Sequence, residues 1–278
     1  MIELLRESFV QNAFLAGTVI AIVAATVGYF VVLRAQAFAA EALSCIGFAG
    51  ATGAALFAVS PLLGMFGFTL LAALGMGALE NRLRGRDVEI GMVLSFALGL
   101  GVLFLRLYTN SASEAVGVLF GSILSVTKTD IVLSIIFGIG TLIILAILFR
   151  PLLFASVDPE TAEARGVPVR RLGIIFLLLL AITVAESIQV IGVLLVFALL
   201  VAPAATAQHL TKKPATAILL SIILAVAFTW AGLFLALASR FPVSFYIATL
   251  AGATYFVTVG IRHRLAPHRL AEMAHHHP

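Results

Sequence analysis

The chain has 278 residues, of which 62% are hydrophobic and 11% are charged, and its formal net charge is +4. Soluble globular domains carry about a quarter charged residues, so this composition excludes a water-soluble protein. The apolar runs are too long for barrel strands, and open sheets cannot satisfy their backbone polar groups in lipid. The sequence therefore predicts an all-α, polytopic membrane protein. Its positive charge is attributed to membrane topology rather than to nucleic-acid binding.

Charged residues separate the apolar stretches into about nine transmembrane helices (eight to nine). The uncharged stretch 42–79 is too long for one crossing, so Ser60-Pro61 is interpreted as the turn of a hairpin. The mixed segment 106–128 is expected to hold a short helix. Within 172–208, Glu186 is the only charged residue, and two short helices are predicted to meet near it, with Glu186 and Gln189 in an exposed outer loop. The predicted spans lie near 12–33, 37–58, 62–79, 88–105, 131–149, two within 172–208, 215–238 and 243–261.

The distribution of positive charge predicts the orientation in the membrane. Placing Arg34, the loop 82–86, the insert 150–171, the pair Lys212-Lys213 and the basic tail 262–278 in the cytoplasm puts 13 of the 17 Lys and Arg residues on that side. Such an excess is what the positive-inside rule expects. The arrangement requires nine spans, with the N-terminus outside and the C-terminus inside. An eight-span count needs one changed assignment, most simply within 172–208.

The polar insert 150–171 contains the signals of a short capped helix. Asp158 suits the N-cap, Pro159 the first helical position, and Glu160 the positive end of the helix dipole. Gly166 followed by Pro168 is a stop signal. The sequence therefore predicts a helix of about two turns near 158–168, on the cytoplasmic face. So short a helix is marginal alone, which leaves two alternatives: a well-capped loop, or a helix that couples the chain to a cytoplasmic partner.

Glu41 and Cys45 form the candidate metal site. Residues at i and i+4 share a helix face, and an ionisable residue inside a span suggests a functional site. Oxygen and sulfur at this spacing are half of a ligand set for a transition-metal ion. In the alternative interpretation Cys45 packs as a small hydrophobe, and Glu41 pairs with Arg34 or reaches the cytoplasmic surface.

Three stretches resemble the permease subunits of the ABC-3 family, the ABC importers for zinc, manganese and ferrous iron. They are 31–45 (VVLRAQAFAAEALSC), 158–170 (DPETAEARGVPVR) and 190–207 (VIGVLLVFALLVAPAATA). The resemblance implies one transmembrane permease domain over 1–278, in a prokaryotic cell membrane, and a homodimer with its translocation path at the centre. It also implies cytoplasmic ATPase subunits, an extracytoplasmic metal-binding protein and alternating access. The coupling residues that it implies are Asp158, Pro159, Glu160, Glu163, Arg165, Gly166 and Pro168.

The chain departs from the family at the metal-contacting pair, where members typically carry Asp and His in place of Glu41 and Cys45. A carboxylate and a softer thiolate favour zinc over manganese, and a dimer would supply two of each ligand. The chain has no phosphate-loop motif, so it is expected not to be an enzyme and to bind no cofactor; ATP belongs to the partner. Two other functions remain as alternatives: a stand-alone secondary metal transporter, and a diverged member with altered substrate or lost transport. The histidine run 275–277 receives no function.

Overall fold

The computed structural model describes residues 7–83, 87–108, 121, 123, 126–239 and 241–274, and the regular elements in these ranges are helices without any strand. Nine of the helices are long and apolar enough to cross a membrane. The predicted all-α polytopic fold is therefore confirmed. In chain order the helices are α1 (Ser8–Leu33), α2 (Ala37–Leu56), α3 (Pro61–Leu83), α4 (Asp87–Tyr108), α5 (Lys128–Val157), α6 (Pro159–Ala164), α7 (Val169–Ile191), α8 (Val193–Leu210), α9 (Pro214–Ala238) and α10 (Val243–Ala274).

The hairpin turn at Ser60-Pro61 lies where the sequence predicts it. Helix α2 ends at Leu56 and α3 begins at Pro61. A proline at the first helical position loses no hydrogen bond, because that N–H has no partner inside the helix. The short helix expected in 106–128 falls largely outside the described residues.

Helix α5 is longer than predicted. It continues through Pro151 to Val157 instead of ending at 149, and α7 begins at Val169 instead of 172. Pro151 removes one helical hydrogen bond. The helix continues because Leu152 and Ala155 beyond it are 1% and 3% exposed, and burying these side chains offsets the lost bond. The polar connection between the two spans is therefore shorter than the insert 150–171.

The break between α7 and α8 is at Gly192, and the prediction that the two helices meet near Glu186 is wrong. Gly192 has φ 82° and ψ 163°, a backbone conformation that is essentially restricted to glycine. Gly121 packs so closely on Ile191 and Gly192 that a Cβ on Gly121 would overlap the backbone of these two residues. A single residue thus turns the chain from α7 into α8.

The core lies where α1, α2 and α7 meet, since these three helices bury most of their residues. Small residues allow close crossings around it. A Cβ on Gly28 of α1 would overlap the carbonyl of Leu200 in α8, and Gly50 of α2 faces Gly64 of α3 in the same way. Helices approach this closely in membranes because van der Waals packing is a main source of their association. Gly28 and Gly50 are therefore positions where α1 and α2 pack closely on neighbouring helices.

Candidate functional site

Glu41 and Cys45 both lie in α2, one turn apart, as the candidate metal pair requires. Cys45 is 3% exposed, whereas Glu41 is half-buried. The Oε2 atom of Glu41 is enclosed and has no hydrogen-bond partner among the described residues. The structure therefore brings a carboxylate oxygen and a thiol to one buried helix face, with unused ligand capacity on the oxygen.

The pair supplies at most two ligands from one chain. Within the ranges that the structure describes, no group of three or more His, Cys, Asp or Glu side chains lies close enough to hold a metal ion. Zinc sites usually have four ligands, and catalytic sites keep three from the protein. A metal at Glu41 and Cys45 would need further ligands from another copy of the chain, from solvent or from another molecule.

Arg34, the alternative partner considered for Glu41, has contacts on two other helices. Its Nη1 atom donates a hydrogen bond to Ser156 Oγ at 3.5 Å, and its Cζ lies 5.5 Å from the centroid of the Phe176 ring. Arg34 caps α1, so these contacts hold the α1–α2 turn against the end of α5 and against α7. Glu41 follows four residues into α2, about 6 Å of helix rise.

The predicted helix near 158–168 is present as α6, and its N-terminus is capped as expected. Asp158 Oδ1 accepts a hydrogen bond from Thr161 N at 3.1 Å, and Pro159 occupies the first turn. The hydrogen bonds from the side chain and backbone of Thr161 lower the pKa of Asp158 from its usual value. The negative charge that results also suits the positive end of the helix dipole.

The C-terminus of α6 has the hydrogen bonds of a Schellman motif. Gly166 N donates to Glu163 O at 2.9 Å and Val167 N donates to Ala162 O at 3.0 Å, with Gly166 at φ 82°. A left-handed residue at this position stops the helix after two turns. Pro168 then caps the start of α7.

One face of α6 rests on the membrane domain and the other is open to solvent. Ala162 is 0% exposed, and Arg165 places its Cζ 5.8 Å from the centroid of the Phe154 ring of α5. The contact face therefore holds the helix in place. Of the predicted coupling residues, Asp158, Glu160, Glu163, Gly166 and Pro168 are exposed, Pro159 is half-buried, and Arg165 is exposed while it contacts Phe154.

Glu186 and Gln189 are not in an exposed loop, contrary to prediction. Glu186 is 3% exposed inside α7, and Gln189 Nε2 donates to Asp130 Oδ1 in the first turn of α5 at 2.8 Å. Asp130 was not singled out from the sequence. For Glu186 the sequence did contain a signal: it is the one acidic residue among the 37 otherwise uncharged residues 172–208. Such a residue is more typical of a functional group embedded in the membrane than of a loop.

The nine apolar helices of the described ranges define a multi-pass membrane protein. The ABC 3 transport family matches residues 6–262, and the chain belongs to that family. The resemblance inferred from the three sequence stretches is confirmed.

The similarity extends over most of the chain. The manganese import system permease protein ScaB of Streptococcus gordonii is 33% identical over 82% of this chain and 82% of its own length. The high-affinity zinc uptake system membrane protein ZnuB of Haemophilus influenzae is 31% identical over 80% of this chain and 86% of its own. The solved structure of PsaBC from Streptococcus pneumoniae in complex with Fab matches with a TM-score of 0.82 and 28% identity, over 92% and 93% of the two chains. The bacterial origin of these relatives agrees with the predicted location in a prokaryotic cell membrane.

Proposed function

We propose that this chain is the membrane-spanning permease subunit of an ATP-driven importer for divalent transition-metal ions. Zinc is the preferred cargo, and manganese and ferrous iron are the other candidates. Family membership supports the transporter class, and relatives named for manganese and for zinc support the type of cargo.

The observation that carries the proposal is the enclosed Oε2 atom of Glu41, one turn from the buried thiol of Cys45. A buried polar atom without a partner costs free energy, which a bound cation would offset. In a homodimer, α2 of each protomer would contribute one carboxylate and one thiolate. Those four ligands are the number that zinc usually takes.

The softness of the ligands supports the preference for zinc. Thiolate suits zinc, whereas manganese prefers oxygen ligands. Cys45 therefore directs the site away from manganese relative to the histidine that is typical of the family. Glu41 keeps the carboxylate and extends its reach by one methylene.

The exposed surface of α6 is the proposed docking site for a cytoplasmic ATPase. The chain lacks a phosphate-loop motif, so ATP would be hydrolysed in that partner. Movement of α6 would pass through the end of α5 to Arg34, and from there to the start of α2, which carries Glu41. A metal-binding protein on the opposite side would deliver the cargo to the alternating-access permease.

The test is metal uptake by the chain reconstituted with its ATPase and its binding protein. We expect ATP-dependent uptake of Zn²⁺ above Mn²⁺ and Fe²⁺, its loss in Glu41→Ala and Cys45→Ala, and a shift in selectivity towards Mn²⁺ in Cys45→His. Thr52→Ala is the matched control, because Thr52 lies two turns further along α2, is as buried as Cys45, and has its hydroxyl bound to Phe48 O. Unaltered uptake in both alanine variants would refute the site, and an assembled, ATP-hydrolysing complex that carries none of the three ions would refute the function.

A further inference from the structure

Glu186 is a buried acidic side chain to which the proposed metal pathway gives no role. It is 3% exposed, and neither carboxyl oxygen has a hydrogen-bond partner within the described part of the chain. It lies five residues before the end of α7 at Ile191, about 8 Å of helix rise. That end of α7 is the opposite one from α6.

The surroundings of the Glu186 carboxyl are small and apolar. Its Oε1 atom lies 3.6 Å from the position that a Cβ on Gly138 of α5 would take, and Val19 and Val23 of α1 flank the same glycine. Thr183, one turn away in α7, donates its hydroxyl proton to Leu179 O at 2.9 Å. The hydroxyl oxygen of Thr183 is therefore left only as an acceptor.

The described helices that pack against α7 contain no Lys or Arg within their apolar stretches that could pair with Glu186. Helix α7 packs against α1, α2, α3, α5, α6 and α8, and the sequence between 8 and 33, 37 and 56, 61 and 79, 131 and 149, and 193 and 210 contains no Lys or Arg. Near this end of the packed helices the charged residues are Glu7, Lys128 and Asp130. Asp130 already accepts hydrogen bonds from Thr127 and Gln189. Among the described side chains, the titratable groups of these elements and their caps towards the opposite end are Tyr29, Arg34, Arg150, Asp158, Glu160, Glu163, Arg165 and His209. Helix α2 carries Glu41 and Cys45 in its first half.

We propose that Glu186 is a proton-binding site: its carboxyl carries a proton in this packed conformation and gives it to water in a conformation that separates α5 from α7. Burying an ionised carboxylate without a partner costs far more than burying its neutral form. The neutral acid brings no charge into this enclosed position, which is why the packed conformation favours it. On release the O–H bond breaks, its electron pair stays on the carboxylate oxygen and the proton passes to water.

This assignment makes the packing of three helices depend on pH. The packed conformation holds one more proton than any conformation in which water reaches Glu186. The ratio of the packed to the open conformation therefore falls as pH rises, by up to tenfold per pH unit, because the two conformations differ by one bound proton. The proton site lies between α1, α5 and α7, and the proposal does not depend on which ion, if any, the chain carries.

Infrared spectroscopy tests the protonation state directly. The full chain in lipid vesicles is titrated while the C=O stretch of protonated carboxyl groups is recorded. We expect a band that persists at pH 7 in wild type and in Glu7→Gln, an exposed control, and that is lost in Glu186→Gln. Glu41→Gln shows how much of the band comes from Glu41, the half-buried acid of α2. A spectrum of Glu186→Gln at pH 7 identical to that of wild type would overturn the proposal.

Thermal unfolding of the same proteins gives a second readout. The unfolded chain releases this proton at the ordinary pKa of glutamate, about 4.3, whereas the folded chain retains it. The stabilisation is therefore complete below that pH and declines as pH rises above it. As pH is raised from 5 to 8, we expect the unfolding temperature of wild type to decrease relative to the unfolding temperature of Glu186→Gln. Midpoints that change in parallel with pH would contradict a proton at Glu186.

Discussion

The guanidinium of Arg34 lies 3.5 Å from the hydroxyl of Ser156, which joins the turn between α1 and α2 to the last turn of α5. Ser156 precedes the N-cap of α6 by two residues, and Glu41 follows Arg34 by seven. The exposed helix and the candidate metal pair are therefore connected by one polar contact and a short length of helix on either side of it.

Replacing Arg34 is expected to weaken the connection between ATP hydrolysis and transport. Arg34→Met keeps an unbranched apolar stem in place of the arginine stem but loses both the bond to Ser156 and the cation–π contact with Phe176. Substitutions along such a connection change coupling by about 1 kcal/mol, about fivefold in the ratio of metal moved to ATP hydrolysed. The measurement is that ratio in proteoliposomes. Ser156→Ala should have a smaller effect because the contact with Phe176 remains, and an unchanged ratio in Arg34→Met would rule out this route.

Removing the cap of α6 is expected to loosen that helix. In Asp158→Ala the amide of Thr161 loses its acceptor, so its hydrogen exchange should become faster than in wild type. Asp158→Asn is the matched control, because asparagine caps helices as well as aspartate.

The cap of α6 also predicts a pH dependence. The lowered pKa of Asp158 means that its stabilising effect is present above the ordinary pKa of aspartate, about 3.9, and is lost as pH falls through the lowered value. The protection of the Thr161 amide, measured relative to its intrinsic exchange rate at each pH, should therefore fall in acid more in wild type than in Asp158→Asn. Equal protection in all three proteins at neutral pH would show that the cap does not hold α6.

The turn between α7 and α8 is expected to require glycine. Gly192→Ala places a side chain at φ 82° and ψ 163°, a conformation that costs a residue with a Cβ about 1–3 kcal/mol. The lower stability should appear as a lower midpoint of thermal unfolding in lipid or detergent. Gly140→Ala is the control, since Gly140 lies in α5 with open space around it and alanine favours helix. Similar midpoints for the two variants would disprove a special conformation at Gly192.

Ala35 is expected to be a position where glycine stabilises the protein. It ends α1 with φ 54°, in the left-handed region, while Gln36 N donates to Val31 O at 2.8 Å. Glycine relieves this strain, but it also has more freedom to lose when the unfolded chain folds. The net effect should raise the free energy of unfolding by about 0.5–1 kcal/mol. Ala39→Gly, inside α2, should lower it by about 1 kcal/mol. Chemical unfolding measures both, and a decrease in Ala35→Gly would refute the expectation.

The sequence predicts the fold well where its signals lie at the membrane surface. The turn at Ser60-Pro61 and the cap at Asp158 depend on local backbone chemistry, and both are present. Pro151 and Glu186 show where local reasoning fails. A span was predicted to end at 149, just before Pro151, and two helices to meet near Glu186. Both residues are inside helices, because the neighbours that accommodate them come from other parts of the chain.

The candidate metal site also has one part that the sequence predicts and one part that it does not. The shared face of Glu41 and Cys45 follows from their spacing in one helix. The enclosure of the Glu41 oxygen and the contacts of Arg34 could not be predicted, because they depend on how α2, α5 and α7 pack.

The continuation of α5 past Pro151 determines how far α6 stands from the bilayer. A helix of 30 residues is about 45 Å long, whereas the hydrocarbon layer is about 30 Å thick. The excess is enough to carry the end of α5 across the layer of phospholipid headgroups. A soluble protein could then approach α6 without displacing lipid or dehydrating charged phosphates, so its affinity would be decided by contacts with protein alone.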